Sequence, residues 1–204
     1  MNKDLIIKLE NYLFEHKNKP RAAADMMADF LGVMIGVKPA AINHLEAKEL
    51  SSIDLIEFNE LLNRASLKAL FFKQEFVEMD KIIWFEDIYV SRDTKTASKL
   101  HQSFIKLRSS MDDLGQTFDQ KAWEESSREI GQLLGYPETA VEYFIAEQDI
   151  ENKERQQLMD RYQFYVHSPK HHEEEYRAYD QKIFQAVRDY APRTANILLP
   201  SKAE

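Results

Sequence analysis

The sequence predicts a predominantly helical α+β fold, with all-α as the alternative. Three observations carry this. Apolar residues recur at helical spacing along most of the 204 residues. Glycine and proline are scarce, at five and six, which leaves little turn material for a many-stranded protein. One stretch, residues 82–91, is instead rich in β-branched and aromatic side chains. With 44% apolar residues the chain can offset its conformational entropy by burial. Residues 1–192 are therefore expected to form a single globular domain, and 193–204 a flexible tail.

Leu5, Ile6, Leu9, Tyr12 and Leu13 place an amphipathic helix over 3–17. Pro20 suits the first turn of the next helix. There Ala23, Met26, Met27, Phe30, Leu31, Met34 and Ile35 make a broad apolar stripe that ends at Gly36. Core packing explains the methionines more simply than a ligand groove does. Residues 37–50 read as a connector with a short helix after Pro39. Ser51 with Asp54 resembles a capping box for a helix carrying Leu55, Phe58, Leu61 and Leu62.

Residues 82–91 read as a strand, and 70–77 as its hairpin partner across a turn at 78–80. The all-α alternative stays open because the short apolar run at 67–78 also fits a helix. Beyond it the chain is helical again. Asp93 or Thr94 caps a helix to about Ser110, and Asp119 caps another that Gly135 ends. Pro137 opens a short helix, giving a sharp corner at Gly135-Tyr136-Pro137. A further helix is expected at 151–166. Ser168 and Pro169 then start a last long helix that Pro192 closes.

Composition excludes several chemistries. Lys plus Arg number 27 and Asp plus Glu 35, a formal charge of −8 that repels polyphosphate and makes nucleic acid an unlikely partner. The chain has no cysteine, which removes disulfides, thiolate catalysis and Cys-held metal sites. There is no signal-peptide pattern and no run of roughly 20 apolar residues, so a soluble cytoplasmic protein without membrane association is expected. Phosphate-loop, zinc-protease, nucleophile-elbow and calcium-loop patterns are all missing from the sequence.

Two clusters remain. His167-Ser168-Pro169-Lys170-His171-His172-Glu173-Glu174-Glu175 holds three of the six histidines. On a helix from Pro169, His171 and Glu175 share a face, and His167 before it can fold over that face. Imidazole and carboxylate together suit a divalent transition metal such as zinc, which would activate water for hydrolysis. Glu129, Glu142 or Asp160 would complete the ligand set. Against this, acidic residues in a first helical turn already favour the helix dipole. The second cluster is the basic face of helix 93–110, where Lys95 and Lys99, with Arg92 and Lys106, would contact phosphate or nucleotide. A solvated helix face explains those lysines at least as well. Without a clear catalytic constellation, the leading expectation is a non-enzymatic interaction or regulatory module that meets a protein partner through an apolar patch near Met26, Met34 or Trp84. The metal-dependent hydrolase and the phosphate-binding module are the alternatives, and whether the chain is an enzyme stays open.

Overall fold

A computed structural model describes residues 1–46, 49, 53–78, 81–111, 117, 119–146 and 167–199, with 74–84 taken as backbone alone. The expected helix at 151–166, the Ser51 cap, residues 79–80 of the hairpin turn and the Trp84 side chain lie outside what it describes. The architecture is predominantly helical α+β with a small antiparallel sheet. The chain divides into two compact units, Met1–Ser98 with Ile183–Glu204, and Lys99–Lys182.

The first unit opens with α1 (Lys3–His16), where the Asn2 side chain accepts a hydrogen bond from Leu5 N–H as the cap. In α2 (Pro20–Met34), Met26, Met27, Phe30 and Leu31 are buried, so most of the methionine stripe is core; Met34 is half-buried. The expected connector at 37–50 instead holds a strand, β1 (Ala40–Glu46). The correction has a tertiary cause. Ala-Ala-Ile-Asn-His-Leu-Glu has weak strand character of its own, and its backbone groups are satisfied by pairing from Ala40↔Ser91 to Glu46↔Phe85.

Helix α3 (Leu55–Arg64) is capped by Asp54, which accepts from Ile56 and Glu57 N–H. Strands β2 (Lys68–Glu78) and β3 (Lys81–Ser91) form the expected hairpin. The sheet order is β1-β3-β2, so β3 is central. That position explains its near-continuous apolar sequence, with Ile88, Tyr89 and Val90 fully buried. Phe58 of α3 packs edge-on against Phe71 of β2 and stacks on Tyr12 of α1, tying helices to sheet.

Helix α4 (Thr94–Ser109) starts in the first unit and continues into the second. Helix α5 (Gln120–Leu134) is capped by Asp119 and ends at Gly135, whose φ of 77° lies in the left-handed region that glycine adopts without strain. After the corner, α6 (Glu138–Ala146) packs close to α5. A Cβ on Gly131 would stand 2.5 Å from Val141 Cγ2, so the approach requires glycine. Trp123, Val141 and Ile145 form a small core, with Leu107, Met111 and Tyr136 against it.

The expected single helix from Ser168 to Pro192 is broken. Residues 168–171 form a turn, α7 (His172–Ala178) begins at an N-cap of His171 rather than Ser168, and Tyr179 interrupts before α8 (Asp180–Tyr190). Where the tail was expected to begin, α9 (Pro192–Leu198) follows, with Thr194 and Leu198 buried. Tertiary contacts hold it: Glu10 of α1 accepts from Thr194 N–H at 2.7 Å, and the Arg193 guanidinium lies 4.3 Å from the Phe14 ring centre. No helix among the described residues is long and apolar enough to cross a membrane.

Candidate functional site

The second unit brings together part of the sequence-predicted cluster. His167 and Glu175 meet, both fully or nearly fully buried, but His171 does not join them. His167 Nδ1 is 3.2 Å from Glu175 Oε2, and its Nε2 is 3.0 Å from Asp180 Oδ2. Glu175 also accepts from Thr139 Oγ1 at 2.5 Å and from Ser168 N–H at 2.9 Å. One imidazole is thus closed between two carboxylates contributed from either side of the break at Tyr179. The Tyr179 hydroxyl donates to Leu134 O at 3.1 Å and fixes that break against the end of α5.

The electrostatics follow from burial and charge. Burial alone would lower the His167 pKa, but the carboxylates of Asp180 and Glu175 outweigh it and push the value up to about 8. Burial also opposes ionisation of Glu175; the His167 cation, the Thr139 hydroxyl and the Ser168 N–H more than compensate and hold it below the usual carboxylate range. Asp180 is pushed up, burial being the largest cause and His167 offsetting only part of it. A cationic imidazole thus sits at ion-pair distance from two carboxylates.

The remaining metal candidates are dispersed. His171 stands at the start of α7, largely exposed, with Nδ1 3.7 Å from Glu174. His172 Nδ1 lies 3.0 Å from Pro169 O. Glu129 accepts from Ser103, and Glu142 pairs with Arg128, both away from His167. Asp160 lies outside the described residues. Among the described residues no group of three or more His, Asp or Glu is arranged to hold a metal ion. The phosphate candidates also part company. Lys99 and Lys106 flank the Glu129 carboxylate at 3.1 and 3.6 Å, whereas Lys95 is exposed beside the Asp93 cap. Arg92 is drawn to the end of α2, donating to Val33 O and Met34 O.

Sequence reasoning missed four features. Asp180 was legible in principle: it sits at i, with Ile183, Phe184 and Val187 at i+3, i+4 and i+7, a polar residue on an apolar face. Glu10 stands the same way among Ile6, Leu9 and Leu13. The pair His44 and Asp87, 2.5 Å apart across β1 and β3, depends on strand register and had no sequence signal. The fourth feature is an apolar cleft of about 300 Å³ between α4, α5 and α6. Phe104, Leu107, Ile130, Val141 and Phe144 make its walls, and Ser127 and Tyr136 supply the hydroxyls of its lining. The cleft adjoins the ion cluster along the chain, since Thr139, which bonds Glu175, directly precedes its lining residues Ala140 and Val141. No protein-family model matches the chain, and neither the curated proteins nor the solved structures compared with it include a match.

Proposed function

We propose that the protein is a non-enzymatic binding module whose recognition element is the apolar cleft of the second unit. The observation that carries this is the lining: seven of the nine residues around the cleft have no side-chain hydrogen-bonding group, and the volume of about 300 Å³ falls at the small end of ligand pockets. Such a cavity takes a compact, largely apolar, uncharged molecule or the apolar side chains of a partner segment, and Ser127 and Tyr136 offer hydroxyls for one polar group. Of the patch expected near Met26, Met34 or Trp84, Met26 is core, Met34 is half-buried, and the Trp84 side chain lies outside the described residues. Neither alternative gains a specific observation: the hydrolase reading has no converging ligand set among the described residues, and Lys99 already faces Glu129.

The test uses Trp123, whose ring stacks on the cleft residue Phe144 with centroids 5.9 Å apart. Neutral bicyclic aromatics and branched alcohols are titrated while tryptophan emission is followed. Saturable binding that disappears in Ser127→Phe and Ala140→Phe, each checked for an unchanged circular dichroism spectrum, supports the reading. Binding that survives both cleft-filling substitutions, or no saturable binding across the series, overturns it.

A further inference from the structure

The first unit carries a second cavity of different chemistry, about 510 Å³, where α1, the end of α2, the end of α3 and the residue after β3 converge. Its apolar wall is Leu5 and Ile6, both buried, with half-buried Met34. Among the described residues its ionisable side chains are Arg64 and Arg92, Met1 also lines it, and no carboxylate does. This is unusual for a chain with a charge of −8. Other basic groups that line a concavity or a core edge meet acids: Lys38 pairs with Asp29, Lys99 with Glu129 and Arg128 with Glu142. Arg64 has no ion pair among the described residues. Two guanidinium groups in one concavity repel each other, and an oxyanion bridging them would relieve that repulsion with forked, charge-assisted hydrogen bonds.

The arginines are also differently prepared. Arg92 is fixed, its Nε donating to Val33 O at 3.1 Å and its Nη2 to Met34 O, which leaves the Nη1 donors uncommitted to that carbonyl pair. Gly36 beside it holds a left-handed backbone at φ 78°, and a Cβ there would be in ordinary contact with Arg92 Nη2 at 3.5 Å. Arg64, at the exposed end of α3, can swing onto a bound anion. We propose that this cavity binds an amphiphilic oxyanion, a carboxylate or phosphate head on a short apolar body, with the head between Arg64 and Arg92 and the body on Leu5, Ile6 and Met34.

The experiment follows the Met34 methyl resonance while the full chain is titrated separately with octanoate, octyl phosphate, octanol and inorganic phosphate, in the parent and in Arg64→Gln. Arg64 is exposed and its substitution leaves the fold intact, which circular dichroism checks. The expected result is saturable binding of octanoate or octyl phosphate at Met34, at least tenfold tighter than octanol, weakened at least fivefold by Arg64→Gln and by added salt. Preference for octanoate identifies a carboxylate ligand, and preference for octyl phosphate a phosphate ester. Equal binding of octanol, inorganic phosphate binding as tightly as its octyl ester, or an unchanged affinity in Arg64→Gln each overturns the proposal. Because the readout is Met34, binding in the cleft of the second unit does not register as support.

Discussion

The two units solve the problem of burial differently. In the first, Leu9, Leu13, Met27, Phe30, Phe58 and Leu62 are fully or almost fully buried around three strands, a broad hydrocarbon core in which buried Glu10, Lys38, Glu49 and Asp87 find polar partners. In the second, the described core is small, a cleft opens beside it, and the segment from His167 to Asp180 is secured by buried charge. Hydrocarbon packing degrades gradually when one residue is trimmed. A buried ion cluster does not, because removing one partner strands the other's charge in a poorly solvated site. The difference separates a unit with a broad hydrocarbon core from one in which the segment from His167 to Asp180 is held around a buried imidazole.

The sharpest way to break this comparison is a matched pair of truncations. Glu175→Ala leaves the His167 cation facing a carboxylate of raised pKa, and should cost about 3–5 kcal/mol. Leu62→Ala should cost about 2–5 kcal/mol through the cavity it leaves. Amide exchange should place the first loss in 167–182 and α6, and the second in α1, α3 and the sheet. If Glu175→Ala lowers protection equally throughout residues 1–98, the two units share one cooperative core and the distinction fails.

The next effect is on pH. His167 has a folded pKa of about 8 against an ordinary 6.5, so its ion pairs contribute stability that is fully present below about 6.5 and lost as pH rises through about 8. Asp180, pushed up by burial, acts in the same direction, whereas Glu175, held low, loses its contribution only as pH falls through its depressed pKa. Thermal unfolding should therefore show a fall of about 2 kcal/mol across the alkaline limb. In His167→Gln that limb should flatten. A parent curve that stays level between pH 6 and 9 would show that the cluster is not ionised as described.

The smallest effect sharpens the account of the second unit's helices. Asp119 accepts from Ala122 N–H at the start of α5, and Asp119→Ala should cost about 1 kcal/mol, measured by urea unfolding, with Asp119→Asn restoring most of it. A loss as large as that of Glu175→Ala would mean that Asp119 does more than cap.

Much of the helical architecture was legible because its signals are local. Asp119 is a short polar side chain that reaches an N–H group three residues on, and Gly135 and Pro137 punctuate by backbone geometry alone, whereas Asp54, expected inside a helix capped by Ser51, is itself the cap. The hairpin at 68–91 was legible from β-branched and aromatic content. Half of the candidate site was legible too, since His167 and Glu175 were singled out and do meet. His171, assigned to the same face as Glu175, lies at the helix start because α7 begins three residues later than Ser168 and Pro169 imply.

What the tertiary structure alone decided has a common physical form: each case is a contact between separate elements. Strand β1 exists because β3 offers its backbone groups, and α9 is held where Glu10, 184 positions away, accepts from Thr194 N–H. The break at Tyr179 puts Glu175 and Asp180 on two sides of one imidazole, an arrangement that no single helical periodicity encodes. The sequence determined by itself where α1, α2, α5 and α6 lie, which faces are apolar, and that cysteine chemistry is excluded. Which buried charges find each other, and which cavities remain open, was decided by packing, because those outcomes depend on distances between elements that local spacing does not contain.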